Sequence, residues 1–170
     1  MVRGGEQIFI GIKQNIFDSL DTWNSLLNSC SNSSNPIEIA CDILEESGAA
    51  TFIVSGFGQE IWPVDCRYDL MTVIEQLPHI INEINNNRFN FELDFYEQGL
   101  QRKLVFYDNG ISIIIKCESR TNWMPLPQKE VMPKKEVVQQ FVQFNNMLLS
   151  LLNALCPTIA NRINLFKIEI

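Results

Sequence analysis

Apolar side chains recur in the first part of the chain at Phe9, Ile12, Ile16, Leu20, Trp23 and Leu27. The steps are three or four residues, which traces one face of a helix. We read residues 6–30 as that helix. Gly11 and the β-branched residues over 8–12 weaken its start, so a short strand over 6–13 is the alternative. A polar linker follows at 31–35, before Pro36. The period then changes. Ile37, Ile39, Cys41 and Ile43 alternate with Glu38, Ala40 and Asp42, the mark of a half-buried strand. Ser47-Gly48 turns the chain into a second strand over 51–55. Gly56-Phe57-Gly58 breaks it, and a short third strand runs over 60–64, where Pro63 signals an edge.

Asp65 is placed to cap the next helix, whose inner face is Leu70, Val73, Ile74, Leu77, Ile81 and Ile84. Pro78 lies inside that pattern and predicts a kink. Past Asn85-Asn86-Asn87 comes a meander. Phe89, Phe91, Leu93 and Phe95 share one side, residues 102–107 form the next strand, and Asp108-Asn109-Gly110 is a strong hairpin signal before Ile111, Ile113, Ile115 and Cys117. Residues 119–133 read as an extended loop stiffened by Pro125, Pro127 and Pro133. A last helix begins at Pro133, with Val137, Val138, Phe141, Phe144, Leu148, Leu151, Leu152 and Leu155 as its apolar positions, and Pro157 ends or kinks it. Apolar residues over 165–170 predict a docked tail.

The element order is thus α-βββ-α-βββ-α. Sequential strands with short connections imply an α+β fold, one domain over 1–170, with an antiparallel sheet built from two three-stranded meanders and helices on one face. The other face or a sheet edge is left for a partner.

Composition narrows the function. The net charge is −7, and the densest basic runs are the dipeptides Arg102-Lys103 and Lys134-Lys135. That argues against nucleic acid and against anionic membranes, both of which need clustered cations. It suits a basic protein partner, although solubility alone also accounts for it. The five cysteines are scattered, with no C-x-x-C pair, so they read as reduced, buried residues rather than a zinc or disulfide framework. No signal peptide or membrane span is recognisable, and the expected compartment is the cytoplasm.

No cluster reads as an active site. His79 is the only histidine, and it lacks the partners of a catalytic triad. Asp65 and Asp69 are one helical turn apart, but capping explains them better than a metal. We expect no cofactor and no metal. Gly56-Phe57-Gly58 lacks the spacing and the lysine of a phosphate loop. Glu92 and Asp94 could act as paired carboxylates, yet Arg102 and Lys103 lie one hairpin away and predict a salt-bridged outer face. Trp62 and Trp123 sit in proline-bearing segments, and the long loop adds Arg120 and Met124, side chains enriched at hot spots; the alternative is that this loop packs back over the sheet edge and Trp123 is core. The expected partner-binding residues are Arg120, Trp123, Met124, Trp62, Glu92 and Asp94.

This order of elements, together with size and acidity, resembles the secretion-chaperone type of α+β fold, whose members bind proteins and often dimerise. Its final meander usually has two strands where three are predicted here. Tyr96-Glu97-Gln98-Gly99 and Ser119-Arg120-Thr121-Asn122-Trp123 are similar to stretches of small bacterial proteins. In size and charge the chain is similar to bacterial immunity proteins. The resemblances imply protein binding, and the lack of a catalytic cluster, the acidity and the tryptophan-bearing loop point the same way: the expected function is a non-enzymatic immunity protein neutralising a basic toxin. The alternatives are a chaperone-like or regulatory homodimer, paired through the long helix over 134–156, and, less favoured, an enzyme using carboxylates such as Glu92 or Asp94.

Overall fold

The computed structural model describes residues 7–15 and 35–163. It is an α+β arrangement of antiparallel strands and helices. Strand β1 (Phe9–Gln14) pairs with β2 (Ala50–Ser55), with Phe9 opposite Ser55 and Gln14 opposite Ala50. Helix α1 (Pro36–Ser47) lies between them in sequence. Helix α2 (Asp69–Asn85) follows. A four-stranded meander then runs in the order β3 (Phe91–Phe95), β4 (Arg102–Asp108), β5 (Ser112–Ser119) and β6 (Lys129–Pro133). Helix α3 (Lys134–Leu155) and the short α4 (Pro157–Ala160) complete the described chain. Two sheets, one of two strands and one of four, therefore replace the expected pair of three-stranded meanders.

Four local readings are corrected. Residues 9–14 are strand rather than helix, because Ile8, Ile10 and Ile12 are buried in alternation while Phe9 points outward. Their β-branched side chains favour a pleated surface, and that outweighs the helical spacing. The rest of the expected first helix, from Ile16 through Leu20, Trp23 and Leu27, lies outside the described residues, as do Cys30 and the tail over 165–170.

Residues 36–47 are helix rather than strand. The buried set is Ile39, Ala40, Cys41, Ile43 and Leu44, a helical face that the alternation of isoleucines concealed. Its start is marked by Asn35, whose Oδ1 accepts from the Ile37 amide at 3.0 Å, with Pro36 at the first turn. Its end is marked by Gly48, left-handed at φ 64°.

Residues 60–64 make no strand. Trp62 donates its amide to Val54 O at 2.8 Å, and Pro63 has no donor to extend a ladder. Finally, the end of the expected loop is β6, where Glu130 and Met132 turn inward and Val131 outward.

The remaining elements follow their patterns. Asp65 Oδ1 accepts from the amides of Tyr68 and Asp69 at 2.6 and 3.2 Å, and Pro78 is carried inside α2. Gly110 takes φ 100° at the hairpin. In the meander, Phe91, Leu93, Phe95, Leu104, Phe106, Ile113, Ile115 and Cys117 are buried on one side. Phe141 of α3 meets Phe91 edge to face at 5.8 Å between ring centres. Buried residues of every element join one hydrophobic cluster.

Side chains, rather than a strand ladder, connect the two sheets. The Glu130 carboxylate of β6 accepts from the backbone amides of Ile8 and Phe57. Gln140 of α3 imitates a strand edge: its Oε1 accepts from Ile10 N–H and its Nε2 donates to Ile8 O, both at 3.1 Å. This stitching fixes the 56–62 segment beside the far end of the meander.

Candidate functional site

Where the 56–62 turn meets β4, an arginine is enclosed by two indoles. Arg102 begins β4 and shares its parity with Leu104 and Phe106, so it points to the inner face. Only 4% of its surface is exposed. Its guanidinium carbon lies 4.5 Å from the centre of the Trp62 ring and 3.5 Å from that of Trp123. The two indoles meet edge to face, 5.9 Å apart, and Phe95 closes on Trp62 at 5.7 Å. Such cation–π contacts stabilise by about 2 kcal/mol or more when desolvated. The hydrogen-bonding side is not satisfied: Nε and Nη1 are enclosed and have no partner. Burial holds the guanidinium below its ordinary pKa, with Cys117 acting in the opposite sense.

The glycine turn positions this stack. Gly56, Phe57 and Gly58 all adopt positive φ, and Gly56 and Gln59 exchange backbone hydrogen bonds of 2.9 and 3.1 Å. Gly56 O accepts from the Trp62 indole N–H at 3.1 Å. Phe57 O accepts from the Leu126 amide at 2.9 Å, which pins the outer loop to the turn. At Gly58 the approach is so close that a Cβ would sit 2.2 Å from Leu126 O. The glycines thus serve a strand-to-loop clamp rather than a phosphate cradle.

The loop over 120–128 is held by this clamp at one end and by the Arg120 amide donating to Gln101 O at 2.9 Å at the other. It still presents Met124 and Leu126 to solvent, 73% and 79% exposed. Ile61, on the neighbouring turn segment, is 72% exposed. Large apolar side chains on a backbone fixed in this way contribute nothing to the core.

The structure sorts the expected site residues into three groups. Trp62 is 1% exposed and belongs to the core, so it supports the site from beneath and is not a direct contact. Trp123 is half-buried and packs against the hydrophobic core, so it is core on one side, while Met124 on the same loop is exposed. Arg120 is paired with Asp94. Glu92 pairs with Lys103 at 3.2 Å, and Lys103 reaches Glu118 at 3.6 Å. The salt-bridged outer face therefore exists, but Arg102 is not part of it and Arg120 takes its place. The signal for Arg102 was present in the sequence: residues 102, 104 and 106 have one parity, so an inward Leu104 and Phe106 require an inward Arg102.

The other titratable groups are accounted for locally. His79 is exposed on α2, and among the described residues no carboxylate is hydrogen-bonded to it as a triad would require. Glu92 and Asp94 are each paired with a cation, Lys103 and Arg120. Asp69 is buried, its Oδ2 accepts from Asp65 N–H at 3.1 Å, and burial pushes its carboxyl up to about 6. Cys41, Cys66, Cys117 and Cys156 are buried, and none of the four is in a disulfide. Burial raises the thiols of Cys66 and Cys117 to about 11 and about 12. Among the described residues, no group of three or more histidines, cysteines or carboxylates is placed to hold a metal, and no helix is long and apolar enough to cross a membrane. Compared with protein-family models, curated proteins and solved structures, the chain matches none of them.

Proposed function

We propose that this chain is a non-enzymatic protein-binding module, of the kind that a toxin-neutralising immunity protein represents, and that its docking face is the 120–127 loop with the adjoining 56–62 turn. One observation carries this reading: the loop is clamped at both ends by backbone hydrogen bonds, yet it holds Met124 and Leu126 out in water. A preordered surface of this kind loses little conformational freedom on binding. Methionine and arginine are enriched in interface cores, and isolated apolar residues so fully exposed on a rigid support suit a partner's pocket. The net charge of −7 favours a basic partner, whose approach it would accelerate.

The carboxylates fit this reading better than an enzymatic one. A general acid or base must be free to exchange its proton with substrate, whereas Asp94 is paired with Arg120 and Glu92 with Lys103.

The test is a matched capture experiment in an extract of the source cells. Wild type and the M124E/L126E double mutant serve as baits, after equal melting temperatures have been verified. The reading predicts one protein recovered in stoichiometric amount by wild type and at least tenfold less by the double mutant. A second copy of the chain as that partner would appear as a dimer in sedimentation, dissociated by the same substitutions. A monomeric wild type that captures the same proteins as M124E/L126E, in the same amounts, would count against it.

A further inference from the structure

We infer that the Arg102 guanidinium, enclosed in the angle between Trp62 and Trp123, is a receptor for a single carboxylate group that the docking partner supplies. The first ground is its isolation. Arg67, Arg88 and Arg120 each hold a carboxylate. Arg102 is the most enclosed of these arginines, and its Nε and Nη1 have no acceptor. Its neighbours across the strands are Phe95 on β3 and Ser119 on β5, neither of them charged. The nearby Cys117 thiol stays protonated at neutral pH, because burial raises it to about 12. A buried charge with no counterion is costly for the fold, and natural proteins pair such groups.

The second ground is shape. The two indoles lie against the guanidinium at 64° to one another, and its unpartnered N–H groups remain to bond. A planar carboxylate in the plane of the guanidinium can take two parallel hydrogen bonds, from Nη2 together with Nε or Nη1. A phosphate dianion calls for more than one cation or a nest of backbone amides, and the walls here are indole. The third ground is access. Trp123 is the half-buried wall of the stack, and it stands on the outer loop next to the exposed Met124. A partner docking on that face would reach the guanidinium by displacing this one wall.

The source of the carboxylate rests on the reading of that face as a docking surface, but the site itself does not. The test therefore uses sodium acetate alone, with sodium chloride and sodium phosphate at equal ionic strength as comparisons. Fluorescence of Trp62 and Trp123 is followed in Trp23→Phe protein, and the melting temperature is followed in wild type. The expected result is a saturable change in both with acetate, since a ligand of the folded state raises its stability by mass action. Arg102→Met should abolish both changes, and Arg102→Lys should weaken them several-fold, because an ammonium keeps the charge without the fork.

A melting temperature that rises linearly with acetate and equally in Arg102→Met is a general salt effect and would overturn the inference. No change with acetate would overturn it too, as would phosphate acting as strongly as acetate. The wild-type melting curves decide between saturation and linearity even if Arg102→Met does not fold. Failure here with a positive capture experiment removes the carboxylate site and leaves the docking face. Acetate binding with no captured partner does the reverse.

Discussion

The guanidinium carbon of Arg102 stands 3.5 Å from the centre of the Trp123 ring, so a strand residue and a loop residue share one contact at the base of the exposed loop. Two opposing magnitudes meet there. The cation–π contacts contribute about 2 kcal/mol. Desolvating an unpaired guanidinium costs several kcal/mol. The second is the larger, so Arg102→Met should melt at the wild-type temperature or above it. Calorimetric melting checks this, and a drop of several degrees would show that the stack stabilises the fold.

Trp62 behaves in the opposite way. It is wholly enclosed, touches Phe57, Phe95 and Trp123, and its indole N–H is bonded to Gly56 O. Truncating such a ring leaves a cavity, and Trp62→Ala should destabilise the fold by about 3–5 kcal/mol in urea unfolding. A loss below about 1 kcal/mol would place the residue outside the core, by the same scale.

Glu130 offers a third test. Its carboxylate accepts from the buried amides of Ile8 and Phe57 and so connects β1, β6 and the glycine turn. Glu130→Ala orphans both donors at roughly 1–3 kcal/mol each. Glu130→Gln retains one acceptor oxygen and should lose about half as much. Equal unfolding free energies for the two substitutions would contradict this division.

These sites show what could be read in the sequence. Long periodic segments were legible: α2, the β3 to β5 meander and α3 follow from spacings that a single face explains. The segment over 36–47 was misread because Ile39 and Ile43 satisfy both a two-residue and a four-residue period. Ala40 and Leu44, with Asn35 and Gly48 as caps, hold the deciding information. Of the site, the loop with Trp123 and Met124 was legible from its prolines and residue types. The clamp was not, because Phe57 to Leu126 and Ile8 to Glu130 are contacts between residues far apart in the chain. Arg102 was assigned to the wrong face because its charge was weighed above its parity.

Asp69 predicts a pH dependence. Its carboxyl is raised from 3.8 to about 6 by burial, so the folded state binds the proton more tightly than the unfolded one. Its contribution to stability is fully present below about pH 4 and is lost as pH rises through about 6. Glu83, Asp108 and Glu118 are lowered by Arg88, Lys134 and Lys116 and act in the opposite sense at acid pH. The informative quantity is therefore the difference between wild type and Asp69→Asn. Wild type should lose melting temperature relative to Asp69→Asn between pH 4 and 7, and a constant difference would remove Asp69 as the cause.

Docking through the 120–127 loop is tested by a calorimetric titration of the captured partner into wild type and into M124E/L126E protein. The double substitution should cost at least about 2 kcal/mol of affinity, roughly thirtyfold in Kd, the scale of an interface hot spot. The melting temperature should be unchanged, since neither side chain packs in the core. Equal Kd values for the two proteins would contradict it.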